Sequence, residues 1–118
     1  MAKLVTGGSG FIGSCLVEQL LAHGEEVVVL DKARSDRLGS TAGRLKIVTG
    51  DISNWSEVMN VFKDNHIDCT YHLAAMLSLP SEVNPWAAFQ ANVVGSMNVL
   101  ESARLIGANK VIFASTIG

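Results

Sequence analysis

The chain has 118 residues, 48% of them hydrophobic and 17% charged, with a net charge of −2. That length supports one globular domain, and so apolar a composition excludes a disordered chain. Eleven glycines without a period exclude collagen, the charge leaves no footprint for nucleic acid or an anionic membrane surface, and no apolar run reaches the ~18 residues of a membrane span.

Short apolar runs alternate with longer helical patterns, the signature of βαβ units and a parallel sheet. Lys3–Thr6 reads as the first strand. A helix follows from Phe11 to His23, with Phe11, Ile12, Cys15, Leu16, Leu20 and Leu21 near helical spacing and Gly24 as its stop. Val27–Leu30 is a β-branched second strand ending in Asp31, and the charged, glycine-containing stretch from Lys32 to Arg44 reads as a surface loop. Leu45–Thr49 makes a third strand closed by Gly50. Asn54 and Glu57 form a capping box that opens a helix to Asn65, and Cys69–Leu73 makes a fourth strand. Asn84 and Pro85 are an N-cap and first-turn pair opening a helix that runs to Ile106 and stops at Gly107, and Val111–Ala114 is the fifth strand. The expected fold is α/β, one domain over 1–118. Its doubly wound parallel sheet takes the strand order 3-2-1-4-5, with the first helix on one face and the later two on the other.

The most informative stretch is Thr6-Gly7-Gly8-Ser9-Gly10-Phe11-Ile12-Gly13, between a strand and a helix. It contains Gly8-x-Gly10-x-x-Gly13 and also Gly7-x-x-Gly10-x-x-Gly13. One glycine permits a sharp turn, one lets backbone approach a pyrophosphate, and one lets helix and strand pack closely, while the helix N-terminus offers N–H groups to the phosphates. Glycine spacing alone would also fit a plain strand–helix turn. Here Asp31, at the end of the second strand, falls near the ~20-residue spacing at which a carboxylate holds the adenosine ribose. That carboxylate would repel a 2′-phosphate and so favours NAD over NADP. Lys32, Arg34 and Arg37 pull the other way.

These motifs, together with Gly50-Asp51-Ile52, His72-Leu73-Ala74-Ala75, Asn92 within a helix and Phe113-Ala114-Ser115-Thr116, resemble the N-terminal part of an extended short-chain dehydrogenase/reductase of the epimerase/dehydratase type, along the whole chain. Both the nucleotide-sugar epimerase and the threonine 3-dehydrogenase branches fit. The resemblance implies a Rossmann-type domain in which Gly7, Gly10, Phe11, Ile12 and Gly13 line the pyrophosphate and Asp31, with Lys32 beside it, holds the ribose. Asp51 and Ile52 would flank the adenine. Leu73, Ala74 and Ala75 would pass beneath the cofactor, and Asn92 would brace that loop from its helix. Thr116, with Ser115 beside it, matches the family's catalytic hydroxyl. That hydroxyl works with a Tyr-x-x-x-Lys pair, in which the Lys lowers the Tyr pKa from ~10. The one tyrosine here is Tyr71, in the fourth strand with no Lys four residues on, and the sequence reaches Gly118 before any such segment. The expectation is therefore a truncated domain that binds NAD without turnover. Its alternative is a non-catalytic folding or assembly fragment.

The other residues draw structural readings. His23 suits a helix C-terminus, His66 the surface and His72 packing. Cys15 and Cys69 read as buried small hydrophobes, without a C-x-x-C pair, in a reduced cytoplasmic protein. Trp55 and Trp86 read as packing residues, and no cluster has metal-ligand spacing. The 85–106 helix is apolar on most sides and needs covering on most sides. It predicts a homo-oligomer, as does the exposed edge of the fifth strand.

Overall fold

The strands are short, and the second of them is nearly continuously apolar, the pattern of a parallel sheet covered on both faces. A computed structural model describes residues 1–32, 44–74 and 82–114. In chain order it comprises β1 (Ala2–Thr6), α1 (Phe11–Ala22), β2 (Glu26–Asp31), β3 (Leu45–Thr49), α2 (Trp55–Asn65), β4 (Ile67–His72), α3 (Pro85–Phe89), a π-helical turn (Gln90–Val94), α4 (Gly95–Ile106) and β5 (Lys110–Phe113). The five strands are parallel in the order β3-β2-β1-β4-β5, the order read from the sequence.

β1 is the central strand, with Leu4 in register between Val28 and Thr70. Successive side chains alternate faces. Leu4, Val28 and Leu30 meet Val58, Phe62 and Val99 of α2 and α4 on one face. Val5, Val27 and Val29 meet Val17 and Leu21 of α1 on the other. Each such fully buried side chain contributes about 1.5–3 kcal/mol. The division of helices between the faces is the one expected from right-handed crossovers.

The helix ends follow their sequence signals. Asn84 accepts from Ala87 N–H at 3.1 Å with Pro85 in the first turn, and Gly107 closes α4 at φ 80°. His23 caps α1, its Nδ1 2.8 Å from the Gln19 carbonyl. Asn54 accepts from Glu57 N–H at 3.1 Å, but the Glu57 carboxylate does not return to Asn54; it takes the Asp51 N–H at 2.7 Å.

Three expectations are corrected. The 85–106 helix is interrupted by the π turn at Gln90–Val94, a one-turn form that α-helical periodicity does not reveal. Cys15 is exposed, because α1 buries Gly13, Ser14, Val17 and Leu21 instead; Cys69 is buried as expected. Trp86 is 69% exposed and stacks on Phe89, and Trp55 is also exposed, so neither belongs to the core.

Candidate functional site

The site is built where β1 turns into α1. Gly7 has φ 73°, and a Cβ there would stand 3.0 Å from Ala74 N. Its N–H donates to Leu30 O at 3.0 Å, tying the turn to β2. A Cβ on Gly13 would stand 2.2 Å from Gly7 O, so this glycine lets α1 sit against the turn. A Cβ on Gly8 would stand 2.8 Å from the Val29 side chain, so this glycine lets the turn sit against β2. Gly10 differs: a Cβ there would meet only Gly7 O, at 3.4 Å, and its backbone is ordinary extended chain at φ −75°. Among the described residues nothing asks for glycine at this position.

α1 also differs from α2 and α3 at its start. Those helices take side-chain caps from Asn54 and Asn84, whereas Gly10 opens α1 with no side-chain cap and no acidic residue in the first turn. The N-terminal end of a helix leaves donors to be satisfied and a positive dipole end. Here that end faces a cleft of about 510 Å³. Phe11 and Ile12, 71% and 72% exposed, stand at its mouth.

The cleft brings together Gly7, Gly10, Phe11, Ile12, Gly13, Asp31, Lys32, Ile52, Leu73 and Ala74. Asp31 accepts from Ser9 N–H at 3.1 Å, which fixes the carboxylate beside the glycine turn. Lys32 Nζ lies 3.6 Å from Asp51 Oδ2. Burial alone would raise the Asp51 carboxyl. The Ser53 N–H and Oγ, at 2.9 and 2.8 Å, and the Lys32 ammonium outweigh it and hold the carboxyl below its usual value. Ile52 is pinned by Asn98, which donates to its carbonyl at 2.9 Å, and by Gly95, where a Cβ would stand 2.7 Å from the Ile52 side chain.

Asp51 adjoins the cleft through Lys32, and Asn92 follows the cleft-lining Ala91 without lining the cleft itself, its carbonyl accepting from Ser96 Oγ at 2.6 Å. Ala75, Ser115, Thr116, Arg34 and Arg37 fall outside the described residues. Sequence reading missed Leu30, Gly50, Ala91 and Ala114, which also line the cleft. Gly50 and Ala114 stood within the motifs quoted for the family resemblance without being given a role, whereas Leu30 and Ala91 offered only small or apolar character. Among the described residues no group of His, Cys, Asp and Glu could hold a metal, and no helix is long and apolar enough to cross a membrane.

Comparison with known proteins gives a consistent result. The profile of the NAD dependent epimerase/dehydratase family matches residues 3–118. A UDP-glucose 4-epimerase of Lacticaseibacillus casei is 37% identical over 117 residues, covering 98% of this chain and 35% of that protein. A CDP-paratose 2-epimerase of Salmonella typhi is 35% identical, covering 98% of this chain and 37% of that protein. The crystal structure of a Thermus thermophilus UDP-glucose 4-epimerase in complex with NAD superposes with a TM-score of 0.88 at 40% identity, covering 98% of this chain and 38% of that one. The chain thus spans somewhat over a third of the length of these relatives. With the fold, the glycine turn and the profile in agreement along its length, the chain belongs to the NAD dependent epimerase/dehydratase family.

Proposed function

We propose that these 118 residues hold NAD across the carboxyl ends of β1, β2 and β4. The observation that carries the reading is Gly10, a glycine that its neighbours among the described residues do not require, at a start of α1 without a side-chain cap and open to the cleft. A pyrophosphate there would lie at the positive dipole end of α1 and occupy the space a Cβ would fill. Asp31 would accept from the ribose hydroxyls, Asp51 and Ile52 would flank the adenine, and Leu73 and Ala74 would pass beneath the other half. Lys32 is engaged by Asp51, which leaves Asp31 to repel a 2′-phosphate and supports NAD over NADP. When bound, the nicotinamide supplies a hydride acceptor and donor for chemistry at a carbinol carbon, on a nucleotide sugar or a hydroxy amino acid. By resemblance, Thr116 would hydrogen-bond the substrate oxygen with Ser115 beside it. These 118 residues contain no Tyr-x-x-x-Lys pair, so the reading proposed for them is dinucleotide binding. The two free thiols suit the cytoplasm.

Calorimetric titration tests this. NAD is expected to bind saturably and NADP more weakly. Asp31→Ala is expected to weaken NAD by on the order of a hundredfold, the scale of lost hydrogen bonds to a charged group. A folded chain that binds neither dinucleotide overturns the reading.

A second reading, a non-catalytic assembly fragment, is favoured by one specific surface. Trp86, Phe89, Val93, Met97 and Leu100 are all exposed along the outer side of α3, the π turn and α4, and Ile112 and Phe113 are exposed on the edge strand β5. Apolar surface so continuous marks an interaction site. The chain is expected to scatter light as a dimer that dissociates on dilution, and Met97→Lys to give a monomer at all concentrations. A wild-type monomer over a wide concentration range sinks this reading and leaves NAD binding untouched.

A further inference from the structure

Behind the cleft a directed chain of hydrogen bonds joins β1, β4 and the helix. Thr6 Oγ1 lies 2.7 Å from His72 Nδ1, and His72 Nε2 lies 3.1 Å from Ser96 Oγ. Ser96 Oγ lies 2.6 Å from the Asn92 carbonyl oxygen. Thr6 Oγ1 also receives the Leu73 N–H at 3.1 Å and the Ala74 N–H at 3.2 Å. Thr6, His72 and Ser96 are all buried, Thr6 completely.

The proton positions follow by elimination. A carbonyl only accepts, so Ser96 donates to Asn92. The Ser96 proton is then spent, so its oxygen accepts from His72 Nε2–H. A neutral imidazole protonated at Nε2 accepts at Nδ1, so the Thr6 hydroxyl donates there. Thr6 Oγ1 is left with its lone pairs for the two backbone N–H groups. Leu73 N–H has a second acceptor in Thr6 O, at 3.2 Å, whereas the bond recorded for Ala74 N–H is the one to Thr6 Oγ1. Ala74 N is also the atom that a Gly7 Cβ would meet first, so the Leu73–Ala74 backbone abuts the glycine turn.

We propose that the Thr6–His72–Ser96 chain is a positioning device for the dinucleotide. It fixes the height of the Leu73–Ala74 backbone, and so tunes affinity for the half of the ligand beyond adenosine diphosphate. Among the described residues, Asp31 and Ile52 at the β2–β3 side of the cleft, where the adenosine half would sit, are hydrogen-bonded to Ser9 and Asn98 and not to Thr6, His72 or Ser96. The proposal rests on the NAD reading above and adds residues that do not line the cleft.

The test titrates the full chain separately with NAD and with ADP. Thr6→Val removes the hydroxyl at nearly constant shape. It is expected to weaken NAD at least tenfold and leave ADP within twofold of wild type. Thr6→Ser, which restores the hydroxyl, is expected to restore NAD binding. A purely structural role would move both ligands together, so equal losses overturn the proposal, as does a Thr6→Val chain that binds NAD like wild type or a Thr6→Ser chain that stays weak. Should Thr6→Val lose its folded circular dichroism spectrum, Ser96→Ala decides by the same split between ligands. An unsubstituted chain that does not bind NAD overturns the NAD reading and this proposal with it, whereas NAD binding that is indifferent to Thr6 overturns this proposal alone.

Discussion

Gly13→Ala is expected to destabilise the chain by about 3 kcal/mol, while Gly10→Ala is expected to leave stability unchanged and weaken the proposed NAD binding. A Cβ on Gly13 would stand 2.2 Å from Gly7 O, 2.8 Å from Gly8 Cα and 3.0 Å from Gly7 C. These are backbone atoms, so no side chain can swing aside, and α1 must lift away from the turn. Its Val17 and Leu21 cover Val5, Val27 and Val29, and lifting them opens that face of the core. In a domain of this size the cost lowers the melting temperature by roughly 10 °C. Alanine at Gly10 meets no such barrier, because its φ of −75° suits any residue and its Cβ would meet only Gly7 O at ordinary contact distance. Its methyl instead enters the cleft where a pyrophosphate would approach, and NAD affinity is expected to fall at least tenfold. Thermal melts and NAD titrations of both variants separate the two roles. Gly10→Ala binding NAD normally would remove the phosphates from that position, and Gly13→Ala melting with wild type would contradict the packing of α1 on the turn.

The two glycines show what was legible in the sequence and what was not. The spacing from Gly7 to Gly13, a strand before it and Asp31 after it were enough to place the turn, because each depends on local chain geometry. The strand order followed from equally local facts, since apolar runs joined by crossovers admit few arrangements. The division of labour among the glycines was not local. Gly8 answers to Val29 and Gly7 to Ala74, contacts between residues far apart in sequence.

The same distinction explains the other differences. The fourth strand begins at Ile67, earlier than its apolar pattern suggests, because Asp68 is accommodated there by Lys3 of the neighbouring strand, its Nζ 2.9 and 2.8 Å from the two carboxylate oxygens. Glu57 looked like half of a capping box, but Asp51 N–H competes for it, and that preference depends on how the β3–α2 loop folds. Packing was the right reading for His72. Its hydroxyl partners on β1 and α4 were invisible, since neither Thr6 nor Ser96 carries a sequence signal toward a histidine so distant in the chain.

His72 also carries the second large effect, a loss of stability in mild acid. Its ring is 3% exposed between Thr6 and Ser96, with Phe113 edge-on at 4.9 Å, and burial lowers its pKa from 6.5 to about 4. Above pH 6.5 the residue is neutral in both folded and unfolded chains and favours neither. Between pH 6.5 and about 4 the unfolded chain takes up a proton that the folded chain refuses, so stability falls as the pH falls through this window. The full loss is about 3 kcal/mol, a large share of the stability of a domain this small. Below pH 4 the folded form also takes the proton and this contribution levels off. The added proton must go to Nδ1, where the Thr6 hydroxyl already donates. Thr6 would have to turn its proton away and offer that lone pair to the ring, in competition with Leu73 and Ala74. Denaturant unfolding at pH 7.5, 6.5, 5.5 and 4.5 should show the decline in the wild-type chain. His72→Asn should be less stable at neutral pH and should flatten the slope, the difference between the two profiles isolating this residue from the exposed His23 and His66. Equal stability of the wild-type chain at pH 7.5 and 4.5 would mean that the folded chain takes up the His72 proton as readily as the unfolded one, with the Thr6 hydroxyl turned to accept from Nδ1–H while the bonds of Ser96 keep their directions.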